Sequence, residues 1–276
     1  MENQVVLITG ASSGIGKATA QYLMMRGFKV YGTSRKAPSC DGHTHTDPKS
    51  GGFIDMITLD VTNDTSVENA IRTVLEREGR IDVLICNAGN GIAGSVEDIP
   101  MDLAREQFET NFFGTLRVVK AVLPVMRSQG GGKIVALSSI AGVISIPYQS
   151  HYSSSKFAIE GLMEALRHEV APFNIDVCLV EPGDTKTEFT SNRRVSESAK
   201  ENSPCFERFK RSLARMEHDE QNGASPESVA KVIYKMIIKK KSPARTAVGF
   251  QYKCILFLKK ILPFRVLEFV VGKLYN

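Results

Sequence analysis

Short apolar runs alternate with amphipathic stretches along most of the chain. Val5-Val6-Leu7-Ile8, Lys29-Val30-Tyr31-Gly32-Thr33, Ile57-Thr58-Leu59, Ile81-Asp82-Val83-Leu84-Ile85, Lys133-Ile134-Val135-Ala136-Leu137 and Val177-Cys178-Leu179-Val180 are rich in β-branched and aliphatic residues and have strand length. Helical patterns fill the intervals, beginning with Lys17 through Met25. Near-continuous apolar strands joined by helical crossovers predict an α/β fold, a parallel sheet covered by helices on both faces. At 276 residues the chain suits one large domain, and no stretch resembles an interdomain linker. Residues 38–52, rich in Ser, Thr, Gly, Asp and His, read as an exposed loop.

The first run passes directly into Thr9-Gly10-Ala11-Ser12-Ser13-Gly14-Ile15-Gly16 and then into a helix. Strand, glycine-rich turn and helix together can place a diphosphate on exposed backbone N–H groups at a helix N-terminus, and glycine lets that backbone come close. The spacing is Thr-Gly-x-x-x-Gly-x-Gly, one residue longer in its first gap than the common dinucleotide motif.

Tyr152 and Lys156, four residues apart, would share one face of a helix. An ammonium beside a phenol favours the phenolate, so the pair could move a proton near neutral pH. Taken alone, the spacing is better explained by a half-buried tyrosine packed under a lysine stem.

Glycine loop and Tyr-x-x-x-Lys pair together resemble the short-chain dehydrogenase/reductase family, and further marks arrive in that family's order. Asp60-Val61 follows the third strand, Asn87-Ala88-Gly89 ends the fourth, Asn111 lies in a long helix, and Ser138-Ser139 and Pro182-Gly183 end later strands. The resemblance spans roughly residues 3 to 250. It implies a single-domain Rossmann-type doubly wound sheet. Residues 1–250 would form the catalytic domain, with a substrate flap over about 184–223 and an extension over 251–276. The runs around Arg35, Asn87 and Lys156 are most similar to 17β-hydroxysteroid and retinol dehydrogenases.

The family likeness also implies roles. Ser139, about thirteen residues before the tyrosine, would stabilise the developing oxyanion, while Ser138 would face the other way if the strand persists. Tyr152 would exchange the proton of the substrate oxygen while hydride passes to or from nicotinamide. Lys156 would hold the ribose hydroxyls and lower the tyrosine's pKa, and Asn111 would hold a water of a proton relay. Cofactor binding would fall to Gly10, Ser12, Ser13, Gly14, Ile15, Gly16, Ser34, Arg35, Asp60, Val61, Asn87, Ala88, Gly89, Tyr152, Lys156, Pro182, Gly183, Thr185 and Thr187. Asp60 would meet the adenine, and Thr185 and Thr187 the carboxamide of nicotinamide. Asp184 is uncommon at its position.

In this fold an acid at the end of the second strand selects NAD and a base there pairs with the 2′-phosphate of NADP. Here the strand ends in Ser34-Arg35-Lys36. NADP(H) is therefore preferred, with NAD(H) as the alternative, because Ser13 stands where many NADP-preferring relatives carry a base.

Charge is uneven. Of 35 basic and 30 acidic residues, eleven bases and one acid, Glu268, lie from Lys231 onward, leaving 24 and 29 in the rest. The basic end is also apolar, with Tyr252, Ile255, Leu256, Phe257, Leu258, Ile261, Leu262, Phe264 and Phe269 among its lysines. Its uncharged stretches fall short of the roughly 20 residues that span a bilayer. Two readings stand, a lid over a greasy substrate and an amphipathic segment on a membrane surface. Nucleic acid is not an expected partner, since the bases of the catalytic body are interspersed with acids.

Five scattered cysteines and no charged-then-apolar leader lead to the expectation of a cytoplasmic protein with reduced thiols. No metal site is expected, as His43 and His45 have no third ligand nearby. A homodimer or homotetramer built on the helices of Asn111 and Tyr152 is the family's usual assembly. Three functions fit these observations: an NADP(H)-dependent oxidoreductase of lipophilic, steroid-like or retinoid-like alcohols and carbonyls; a reductase of small ketones or aldehydes; and a non-catalytic NADP(H)-binding regulator. The intact Ser139, Tyr152 and Lys156 set speaks against the last.

Overall fold

The computed structural model describes residues 3–37, 44–196 and 203–275. Strands β1 (Val5–Ile8), β2 (Lys29–Ser34), β3 (His45–Thr46), β4 (Phe53–Thr58), β5 (Val83–Cys86), β7 (Gly132–Leu137), β8 (Ile175–Glu181) and β10 (Arg245–Ala247) form one sheet in the order β10-β8-β7-β5-β1-β2-β4-β3. The pairings are parallel except for β3 on β4, and the order reverses beside β1, as in a doubly wound sheet. A second, two-stranded sheet joins β6 (Ile92–Ala93) to β9 (Arg194–Val195).

Alternation along each strand feeds two cores. Val5 and Leu7 of β1, Leu84 of β5 and Ile134 of β7 face the helices α2 (Asp64–Glu78), α4 (Gly114–Ser128) and α5 (Ser150–Glu169). Val6, Ile8, Ile85 and Val135 point the other way, onto α1 (Gly14–Met24) and α7 (Pro226–Ile238). Local signals set the helix ends. The Asn63 side chain accepts the Ser66 N–H at the start of α2, and Gly79 closes it at φ +70°.

Two boundaries differ from the sequence reading. The third apolar run starts earlier, at Phe53, because β4 pairs with β2 along its whole length. Within the segment read as a loop, His45 and Thr46 add a short antiparallel edge through a turn in which Asp47 N–H bonds Gly52 O at 2.8 Å. Both β3 side chains are exposed, so no apolar pattern marked them. Cys40 and His43 lie outside the described residues, as does the part of the flap at 197–202.

The chain ends in α6 (Phe206–Gln221), α7, α8 (Phe250–Ile261) and α9 (Phe264–Tyr275). Among the described residues no helix is long and apolar enough to cross a membrane.

Candidate active site

Every sequence-nominated residue lies at or just beyond the C-terminal ends of strands or on the helices facing them, around the point where strand order reverses. The glycine loop leaves β1 and is anchored from below. Thr9, 2 % exposed, accepts the backbone N–H groups of Asn87 and Ala88 at 3.0 Å each with its hydroxyl oxygen. The Asn87 amide in turn donates to the carbonyls of Thr9 at 3.0 Å and Gly10 at 2.8 Å. A side chain at Gly16 would put its Cβ 2.2 Å from the Gly10 carbonyl oxygen, so the helix can start this close to the loop only on glycine. Gly10 and Gly14 have φ of +70° and +53°.

The loop meets the demands of a diphosphate. The hydroxyls of Ser12 and Ser13 are exposed, Ser13 makes no side-chain cap, and the free Gly14 N–H is met by a carboxylate oxygen of Glu188 at 3.1 Å. An anion therefore already sits at the helix N-terminus, supplied by the protein's own chain. Ile15 packs into the core behind it.

Farther along the strand ends, Ser34 closes β2 and Arg35 is exposed, with no acid at that turn. Asp60 spends one carboxylate oxygen on the Thr62 N–H and hydroxyl, at 2.9 and 2.8 Å, which holds its carboxyl below the usual range despite partial burial. Val61 packs under Gly114. Ala88 supports Gly10, and Gly89 lies against the Asn111 side chain.

Ser139 follows β7 and caps a short 3₁₀ turn at Ile140–Gly142, accepting the Ala141 N–H at 3.1 Å. The same hydroxyl donates to the Pro182 carbonyl at 3.5 Å and lies near enough to Tyr152 to favour its ionised form. Ser138 is buried, and its hydroxyl has no hydrogen-bond partner. Tyr152 lies in the first turn of α5, and Lys156 is one turn on, 6 % exposed.

The electrostatics differ from expectation. Lys156 Nζ donates to the Leu137 carbonyl at 2.8 Å and stands 5.8 Å from the Tyr152 ring centroid. Burial, opposed only by the hydrogen bond from Ser139 and the charge of Arg193, pushes the Tyr152 phenol up to about 12. Burial also brings Lys156 down to about 8, against the pull of Glu160 and Cys86. The Lys156 ammonium is engaged by a backbone carbonyl. A phenol with this pKa holds its proton at neutral pH, the form that donates to a carbonyl oxygen.

Asn111 occupies a π-helical turn, Glu109–Phe113, between α3 (Met101–Phe108) and α4. It is a bridge between segments: its amide donates to Asn90 O at 3.1 Å and Ser155 Oγ at 3.0 Å and accepts the Asn90 N–H at 2.9 Å. Side-chain contact therefore joins the loop after β5 to the helix of Tyr152 and Lys156. Such π-turns concentrate at functional sites.

Beyond β8, the Pro182 carbonyl accepts the Ile140 N–H at 2.9 Å, tying this segment to the serine turn. Thr185 donates to Gly183 O at 2.9 Å and bridges to Ala224, and the Thr187 hydroxyl accepts the Phe189 N–H at 3.2 Å. The uncommon Asp184 has a partner the sequence did not announce: Tyr252 of α8 donates to its carboxylate at 2.6 Å and accepts its N–H at 2.9 Å. The Phe189 ring lies 5.5 Å from the Tyr152 ring, tilted by 55°, and is backed by the buried pair Arg193–Glu220. Thr9, Asn90, Ser155, Glu188, Phe189 and Tyr252 were absent from the nominated set. Only Thr9 carried a signal, since it leads the glycine motif.

The family model described as short chain dehydrogenase matches residues 4–198. The 3-ketodihydrosphingosine reductase of Bacteroides thetaiotaomicron is 49% identical over 249 residues, which cover 90% of this chain and 89% of that protein. The 17-beta-hydroxysteroid dehydrogenase type 1 of Homo sapiens is 36% identical over 245 residues, covering 84% and 73%. The crystal structure of a short-chain dehydrogenase from Streptomyces avermitilis superposes with a TM-score of 0.80 at 32% identity, covering 94% and 93%.

Proposed function

The chain belongs to the short-chain dehydrogenase family and is an oxidoreductase of alcohol and carbonyl groups; we propose that it reduces a lipophilic ketone with NADPH, and that the ketone is 3-ketodihydrosphingosine or a close long-chain analogue. The observation supporting the catalytic part is the gathering of Ser139, Tyr152 and Lys156 at the strand ends, with the Ser139 hydroxyl near enough to favour the ionised Tyr152 phenol and the glycine loop alongside.

The dinucleotide would lie across the strand ends, its diphosphate on the Gly14 to Gly16 turn in place of the Glu188 carboxylate. When bound it supplies the hydride. Ser139 holds the substrate oxygen and Tyr152 gives it a proton, so that negative charge never builds up unpaired. Lys156, turning from the Leu137 carbonyl, would bind the ribose hydroxyls. Asn111 acts as a positioning residue, fixing the loop at Asn90 against the helix of Tyr152. Arg35 supports NADPH over NADH, since its fork can pair with a 2′-phosphate and the turn that carries it, Ser34-Arg35-Lys36, holds no acid.

The substrate class draws on two supports. One is the 49% identical relative, whose name gives a long-chain keto base as its substrate. The other is aromatic lining: Phe189 lies on Tyr152, and Tyr148, at the entry to α5, packs on Phe209 of α6 at 5.7 Å. Following NADPH oxidation with 3-ketodihydrosphingosine, a steroid ketone, retinal and a small diketone tests the reading. The long-chain ketone is expected to give the highest kcat/KM, and a preference for the small diketone would overturn it.

A further inference from the structure

The outer surface of α8 and α9 is apolar and the body of the protein does not cover it. Along α8 the helical period puts Phe250, Phe257 and Ile261 on one stripe, and they are 82 %, 63 % and 61 % exposed. Tyr252 lies on the opposite side and is buried. In α9, Phe264 and Phe269 are 71 % and 63 % exposed. A helix packed as a lid turns its apolar stripe inward; this one turns it outward, so the lid reading fails for that face.

The basic residues are arranged to match. Lys253 and Lys260 are exposed along one edge of the α8 stripe, and Arg265 and Lys273 are exposed on α9, against the lone acid Glu268. Pro263 separates two helices of 12 residues each, so neither can span a bilayer. Short helices with a greasy face bordered by lysines are built to lie in the plane of a negatively charged bilayer.

We propose that the outer face of α8 and α9 docks this enzyme on an anionic membrane surface, with the helices lying in the headgroup region. The inner face of α8 fastens that surface to the active site. The Tyr252 ring lies so close to Gly183 that a Cβ there would sit 2.0 Å from it, and its hydroxyl holds Asp184. Lys259 donates to the Val143 carbonyl, just past the Ser139 turn, and stands 5.7 Å from the ring of Phe157, the neighbour of Lys156. If the ketone is a long-chain lipid, as proposed above, it would reach Tyr152 from the bilayer without crossing water.

Flotation with phosphatidylglycerol/phosphatidylcholine vesicles, and with phosphatidylcholine alone, tests the docking face. Wild-type protein is expected to float with the anionic vesicles and to be released by high salt. Lys253→Glu with Lys260→Glu should weaken the partition by about fivefold for each charge removed. Phe257→Asp with Ile261→Asp should abolish it while circular dichroism and NADPH binding stay unchanged. Wild-type protein that stays unbound, equal binding to both vesicle types, or flotation that survives the aspartates overturns the proposal. So does a wild-type dimer that the aspartates dissociate without any vesicle binding, since the face would then belong to a second copy. A protein that floats normally yet prefers small carbonyls leaves the docking face standing and overturns only the substrate reading.

Discussion

Replacing Thr9 with valine removes one oxygen and tests how the cofactor loop is held. Valine keeps the shape, so the effect falls on the two backbone N–H groups, Asn87 and Ala88, that the hydroxyl oxygen accepts at 3.0 Å each. Leaving a buried donor unpaired costs about 1–3 kcal/mol, so two partly shielded donors place the loss near 3 kcal/mol. Unfolding entropy scales at about 2.1 cal/mol/K per residue, so for a chain of this length the midpoint should drop by about 5 °C. Because Ala88 supports Gly10 and Asn87 holds the Thr9 and Gly10 carbonyls, NADPH affinity should weaken as well. Thr9→Ser, which restores the oxygen, should recover most of both losses. Thermal unfolding by circular dichroism and NADPH fluorescence titration report the two effects. A valine variant that melts with the wild type and binds NADPH equally would refute the hydroxyl's role as anchor.

Other outcomes follow from the same geometry. Arg35→Ala should weaken NADPH by about 10- to 100-fold and leave NADH nearly unchanged, the worth of a charge-assisted bond to phosphate, and an unchanged preference in steady-state kinetics would make Arg35 a bystander. Gly16→Ala forces a methyl to 2.2 Å from the Gly10 carbonyl and should cost about 2 kcal/mol by overpacking, read as a lowered midpoint with weakened NADPH binding. Burial lowers Lys156 to about 8, so its charged, ribose-binding form is lost as pH rises past that value; kcat/KM for NADPH should be flat below about 8 and fall above it, and a profile flat to high pH would contradict the assignment.

The sheet was legible because strands buried on both faces read as continuous apolar runs, and Val5 through Ile8 coincide with β1 residue for residue. The Gly14 to Gly16 turn and the Tyr152–Lys156 pair were legible because each needs particular residue types at fixed spacing. The short edge β3 was not, since His45 and Thr46 are solvent-facing and pair only through backbone. The partners that finish the site, Glu188 at Gly14 and Tyr252 at Asp184, are 174 and 68 residues away along the chain, and long-range contacts of that kind leave no local pattern. The tyrosine's upward shift comes from its burial, which spacing along a helix does not determine. Similarly, the amphipathic end of the chain fits both lid and surface in the sequence, which does not tell that Phe257 is exposed.

Proton donation by Tyr152 is the claim on which the rest depends, and single-turnover reduction by the Tyr152→Phe variant tests it most directly. Phenylalanine keeps the ring on Phe189 and removes only the hydroxyl that Ser139 meets. With NADPH binding verified in the same sample, hydride transfer to the ketone should slow by about 10²- to 10⁴-fold, the range for losing a positioned general acid. Transfer at the wild-type rate would contradict the account.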